Sequence, residues 1–189
     1  LSLNFPIPLK HLMKFQLPMV GGISVVVALV FWWEGAVGQP PGADPGLKAA
    51  YIYNFTRYIR WDAGPEKPDF IIGEMGHSEM DSSLANLARN NFVDNRRIVL
   101  RHFARPEDIE YCQILFIPSK CEYPLHTILG KLGRGVLTIG ERKGCAREGV
   151  ALNFVQVNQK LKFEANERVM NKMGLKVSSQ LLKLAIIVR

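Results

Sequence analysis

His77, His102 and His126, the cysteines Cys112, Cys121 and Cys145, and the basic run Arg96, Arg97, Arg101 and Arg105 are the residues with chemistry to offer. Imidazoles at metal-ligand spacing would suggest a zinc-type centre, but these three fall on separate elements, so no metal site is expected from them. The arginines sit on one strand and its exit. A solvated edge that discourages strand pairing accounts for them, with a patch for an anion or acidic partner as the alternative. Gly73-Glu-Met-Gly76-His77 lies where a strand meets a helix, a place where backbone N–H groups can hold an anion. Ser178-Ser179 looks like a nucleophile pair only by name, and helix capping explains it better. HExxH, CxxC, GxSxG and a Walker lysine loop are all missing, so no catalytic residues and no cofactor are expected.

Periodicity supplies the elements that would carry these residues. Pro45-Gly46 opens a helix with Leu47, Tyr51, Asn54, Phe55 and Tyr58 at helical spacing, predicted to end near Trp61. Asp69 to Met75 reads as a strand turning at Gly76. Ser78 then caps a helix with Met80, Leu84, Leu87 and Ala88 on its apolar face. Arg97 to Phe103 alternates as an outer strand should, whereas Ile114 to Ile117 and Val136 to Ile139 are apolar runs suited to strands covered on both faces. Pro124 begins a helix through Leu125, Ile128, Leu129 and Leu132. Two alternating segments joined at Val157-Asn-Gln-Lys160 form a hairpin. A short helix from Glu167 to Met173 and a closing helix from Ser178 to Val188 complete the chain. The expected fold is a three-layer α/β/α sandwich with a mainly parallel sheet and a C-terminal antiparallel hairpin.

The chain has 189 residues, a length for one domain and an appendage, and a net charge of +7. The appendage is at the front. Lys10 and Lys14 precede an uncharged stretch from Leu17 to Trp33, and Ala36-Val37-Gly38 offers small residues for cleavage. This is the pattern of a secretory signal peptide over residues 1–38, with an uncleaved anchor as the rival reading. Residues 39–46 are a Pro/Gly-rich spacer, and residues 47–189 are the domain. Export removes cytosolic nucleic acid from the partners that a basic chain would otherwise invite.

Export also puts the cysteines where disulfides can form. Cys121 and Cys145 each follow a buried strand by a few residues. If those strands run parallel and side by side, the two cysteines project at one sheet edge and Cys112 lies at the other. A Cys121–Cys145 disulfide is therefore expected, against the alternative of three free thiols.

Several blocks of the domain resemble the YfiR-like family of exported bacterial proteins. They are Lys48-Ala-Ala-Tyr-Ile-Tyr-Asn-Phe-Thr-Arg-Tyr-Ile-Arg-Trp61, Tyr111-Cys-Gln-Ile-Leu-Phe-Ile117 and Gly135-Val-Leu-Thr-Ile-Gly140. Leu161-Lys-Phe-Glu-Ala-Asn166 and Gly174-Leu-Lys-Val-Ser-Ser-Gln-Leu-Leu-Lys-Leu-Ala185 complete the set, in order, over residues 47–189. The resemblance implies a periplasmic, dimeric α/β protein that binds the periplasmic sensor portion of an inner-membrane diguanylate cyclase. In that role it would restrain cyclic di-GMP production and biofilm formation. The family type has two disulfides, of which Cys112 and Cys145 resemble one half each. The partner positions here are Gly73 and Leu152, so neither family bridge can form.

The expected function is that of a non-enzymatic periplasmic regulator acting as a homodimer on a membrane partner. The alternative is a periplasmic module binding a small ligand in the crevice at the carboxyl ends of the parallel strands. That crevice would be lined by Gly76, His77 and Ser78, by Pro118 and Ser119, and by Gly140 and Glu141.

Overall fold

The computed structural model describes residues 44–62 and 68–189. The expected signal peptide, the rival anchor and the spacer up to residue 43 lie outside the described residues. Among those described, no helix is long and apolar enough to cross a membrane.

The first helix, α1 (Pro45–Phe55), starts where Asp44 accepts a hydrogen bond from the Gly46 N–H at 2.8 Å and Pro45 presets the first turn. Its buried side chains are Ala49, Ile52 and Phe55. The helix stops at Thr56, short of the predicted end. Residues Ile59–Trp61 instead form a strand, β1, antiparallel to β9 (Leu175–Val177) in a two-stranded sheet. Tertiary contacts favour the extended form: Ile59 is buried, Tyr58 O accepts from the Ser178 N–H, and Trp61 Nε1 donates to Gln113 O at 2.9 Å.

The main sheet has eight strands in the order β10-β8-β7-β6-β5-β2-β4-β3. Its centre is parallel and comprises β2 (Phe70–Met75), β4 (Arg96–Phe103), β5 (Ile114–Ile117), β6 (Leu137–Gly140) and β7 (Leu152–Val157). The predicted hairpin is present as β7 with β8 (Lys160–Asn166), paired from Leu152↔Ala165 to Val157↔Lys160. Asn158 and Gln159 both adopt positive φ at its turn. Asp94 and Asn95 do the same in a hairpin absent from the sequence prediction, which adds β3 (Phe92–Val93) outside β4.

Side-chain alternation splits the core into two layers. Phe70 and Ile72 face a cluster with Ile52 and Phe55 of α1, Leu84 and Leu87 of α2 (Asp81–Asn90), Met170 of α4 (Glu167–Lys172) and Leu181 of α5 (Ser179–Leu184). Ile71 and Met75 face the other way, toward Cys112, Val150 and Ile128 of α3 (Leu125–Leu129). The sheet is thus covered on both faces, as continuous runs such as Ile114-Leu-Phe-Ile117 require. The predicted α/β fold with a mainly parallel sheet is correct.

Two further helix ends differ from the sequence reading. α3 stops at Gly130, before Leu132. Ser178 caps α5 as expected, accepting from the Gln180 N–H, but the helix ends at Leu184. The following Ile186–Val188 is β10, parallel to β8. Apolar β-branched residues favour the extended form, and here they gain backbone partners from the edge of β8.

Gln113 ties the parallel strands together just before β5. Its side-chain Oε1 accepts from the Ile71 N–H at 2.7 Å, its own N–H donates to Ile71 O, and its carbonyl accepts from the Leu137 N–H. It is 1% exposed, so the Ile71 N–H would be left buried without a partner if the Gln113 side chain were removed.

Candidate functional site

The carboxyl ends of β2, β4, β5 and β6 open on two adjoining pockets of about 350 and 360 Å³. The first is lined by Met75, Gly76, His77, His102, Cys121 and Tyr123, among others. The second lies among Lys48, His77, Ser78, Met80, Ser119 and Glu141. Six of the seven residues expected to line the crevice border these pockets. Gly140 does not line these pockets. It packs beneath Cys145: a Cβ placed there would stand 2.5 Å from Cys145 Sγ and 3.3 Å from Asn153 Oδ1.

Gly76 turns the chain out of β2 at φ +71, a conformation that costs other residues energy, and its N–H donates to Phe103 O. This directs His77 and Ser78 across the mouth of the crevice. Ser78 is a connector. Its N–H donates to Asp81 Oδ1 at 2.9 Å, and its hydroxyl accepts from the Met80 N–H and donates to Glu74 Oε1 at 2.5 Å. Glu141 is already engaged as well, paired with Lys48 of α1 at 2.6 Å and accepting from the Ser119 N–H and hydroxyl. It fixes α1 to the loop after β5, and so shapes the second pocket.

Parallel pairing of β2 and β4 brings together residues that the sequence keeps apart. Glu74 and His102 are register partners, and the rings of His77 and His102 stack with centroids 4.4 Å apart. Asp81 Oδ2 lies 2.6 Å from His77 Nδ1. The three histidines do fall on separate elements, but the turn after β2 and the end of the adjacent β4 bring His77 and His102 together at one end of the sheet. His126 stays apart on α3.

Glu74, unnoticed in the sequence, is the most unusual residue here. It is 0% exposed, and Oε2 has no hydrogen-bond partner among the described residues, with His102 Nδ1 at 3.5 Å. Burial raises its pKa to about 7; the Ser78 hydroxyl opposes the rise, and the neighbouring Asp81 carboxyl adds to it. Burial acts on Asp81 in the same sense, but the Ser78 N–H, His77 and Glu74 outweigh it and hold Asp81 below the usual range. A glutamate inside an otherwise apolar strand pattern was the one available signal.

The arginines form no open anion patch. Arg96 faces Asp94 at 3.6 Å and lies over the Phe70 ring, Arg97 faces Asp69 at 3.5 Å, Arg101 pairs with Glu110, and Arg105 pairs with Asp108 at 2.8 Å. Each charge is matched locally. Such exposed pairs contribute little to stability, because solvent screens them.

All three cysteines are free thiols in the structure. Cys121 and Cys145 do border one pocket of about 250 Å³, consistent with their expected edge, but the Cys121–Cys145 bond is not formed. The Cys145 thiol is turned inward and donates to Asn153 Oδ1 at 2.9 Å. Cys112 is fully buried, and a Cβ added to Gly73 would stand 3.1 Å from its sulfur. Gly73 therefore faces Cys112, the arrangement that the family resemblance implies for one bridge. Burial raises the pKa of Cys112 to about 12 and that of Cys145 to about 11. The native protein is accordingly expected to show one rapidly alkylated thiol, Cys121, and three after denaturation without reductant. Mass spectrometry of alkylated peptides checks this; a single reactive thiol after denaturation would mean that two cysteines are bonded.

The fold and crevice define a doubly covered α/β domain with its polar groups gathered at the carboxyl edge of a parallel sheet. The sequence profile of the YfiR/HmsC-like family matches residues 45–186, and the chain belongs to that family. The family is periplasmic and regulatory rather than catalytic, and is associated with cyclic di-GMP signalling. No curated protein matches the chain.

Proposed function

We propose that this protein is a periplasmic, non-enzymatic regulator that binds the external sensor portion of an inner-membrane diguanylate cyclase and restrains it. Family membership over residues 45–186 carries the reading. The basic, acid-free stretch followed by apolar residues 17–33 supports export, by the signal-peptide pattern over residues 1–38. Restraint requires tighter binding to the partner's inactive state than to its active state, because a bound protein shifts an equilibrium only through that difference.

A homodimer is part of the proposal. Ile186 and Ile187 of the edge strand β10 are 42% and 45% exposed, and Leu184 beside them is 65% exposed. An exposed apolar edge of this kind favours pairing with another chain. The two adjoining pockets support a second element, a small ligand whose binding sets the regulator's state.

Affinity capture from solubilised membranes tests the partner. A tagged version of the chain is expected to retain an inner-membrane protein with a cytoplasmic cyclase domain. If no membrane cyclase is enriched over an unrelated exported control, direct restraint is excluded.

A further inference from the structure

We propose that His77, Asp81 and His102 form a binding site for a divalent transition cation of the zinc type, with Glu74 as its buried positioning group. One ligand atom from each of the three residues lies within 4.8 Å of the others. Donors around a tetrahedral zinc stand about 3.3 Å apart at ordinary bond lengths. Closing that gap takes rotation of His77, whose 74% exposed side chain would exchange its direct contact with Asp81 for a shared cation.

Residues behind the ligands already have the arrangement that such a centre uses. His102 Nδ1 faces two acceptors, Gly76 O at 3.2 Å and Glu74 Oε2 at 3.5 Å. In the neutral ring its Nδ1–H donates to Gly76 O, with the Glu74 carboxyl beside it making no hydrogen bond, and Nε2 keeps its lone pair for a cation. Metal-binding imidazoles ordinarily have their second nitrogen fixed by a carboxylate or backbone carbonyl in this way. Asp81 is held in turn by the Ser78 N–H.

Glu74 supplies the independent observation. Its Oε2 is fully buried without a hydrogen-bond partner, beside the ligand cluster, and buried polar atoms in native proteins are seldom left so. A cation at the imidazoles would give that oxygen an electrostatic partner through His102. Two nitrogen donors and one carboxylate favour zinc, nickel or copper over calcium and magnesium, which prefer all-oxygen shells. The three ligands come from the turn after β2, the first turn of α2 and the end of β4. A bound ion would therefore cross-link those elements at the mouth of the first pocket.

The proposal is independent of the regulatory reading, because it is tested on the purified protein and not through a cellular output. Untagged protein, made from the full chain and stripped with a chelator, is titrated with zinc by calorimetry and with cobalt(II) by absorption spectroscopy. One equivalent is expected to bind, with a visible cobalt band of low-symmetry nitrogen–oxygen coordination and a rise in thermal midpoint; calcium and magnesium should give neither. His77→Ala and His102→Ala should each abolish the band, and His126→Ala should leave it intact. Glu74→Gln should weaken affinity about 10–100-fold, the usual consequence of losing a group that orients a ligand. Far-ultraviolet circular dichroism of the metal-free variants separates these losses from misfolding. Absence of stoichiometric zinc binding, or binding that survives combined His77→Ala and His102→Ala replacement, overturns the proposal.

Discussion

Between pH 5 and pH 8, in the presence of chelator, the protein is expected to lose about 2–3 kcal/mol of stability that the Glu74→Gln variant retains. The loss follows from the position of Glu74. Its carboxyl is fully buried, and its pKa rises from 4.5 to about 7 because burial penalises the charged form. The folded state therefore holds this proton more tightly than the unfolded chain does. The stabilising contribution is complete below pH 4.5 and disappears as pH rises through 7, where the buried group must ionise. The lowered carboxyls, Asp62, Asp81 and Asp108, act in the opposite sense but only at acid pH, below their ordinary 3.8. Glutamine can accept from the Ser78 hydroxyl as the glutamate does and carries no charge, so the variant should exceed the parent in stability at pH 8. Urea denaturation at each pH measures this. Parallel pH profiles for parent and variant would show that Glu74 is not the ionising group.

Replacement of Phe55 by alanine is expected to cost about 3–5 kcal/mol, the range for truncating a buried aromatic. Phe55 is 2% exposed and sits where α1 meets the hairpin. Its ring centroid lies 5.0 Å from that of Phe163, 6.1 Å from Phe154 and 6.0 Å from Tyr51. No other side chain can fill that volume without moving the helix, so a cavity would remain. A typical domain is stable by about 5–15 kcal/mol, which makes this a loss of a large fraction of the total. The effect should reach the crevice too, because α1 carries Lys48, the partner of Glu141. Tyr51→Phe, which keeps the ring, is the control and should cost well under half as much. A Phe55→Ala loss below about 1 kcal/mol would mean that α1 is not part of the cooperative unit.

These two residues also mark how much could be read from the sequence. Phe55 was legible: helical spacing from Leu47 places it on the buried face, and the structure agrees. The buried runs Ile114-Leu-Phe-Ile117 and Val136-Leu-Thr-Ile139 were legible as strands because no charged residue interrupts them and their β-branched members suit an extended chain. The turn at Asn158-Gln159 was legible because two adjacent apolar alternations need a tight reversal. Short segments that exist only through pairing were not. Ile59-Arg60-Trp61 continues the spacing of α1 and becomes a strand only because β9 and Gln113 receive it. Ile186-Ile187-Val188 likewise continues α5 until β8 offers an edge.

The site divides along the same line. Gly76, His77 and Ser78, with Ser119 and Glu141, border the pockets because the ends of parallel strands are a defined location in any α/β sheet. The meeting of Glu74 and His102 was not legible, because it depends on β2 lying beside β4 in one register, and strand order is a long-range property. Gly140 was misassigned because a glycine at a strand end reads equally as an open turn or as room for a neighbour, here the Cys145 sulfur.

The most direct test of the regulatory account is cellular cyclic di-GMP in a strain lacking this gene, measured beside the parent and a complemented strain. The account predicts a rise that complementation with the full chain reverses. An unchanged level, with the protein confirmed as made and exported in the parent, would contradict it.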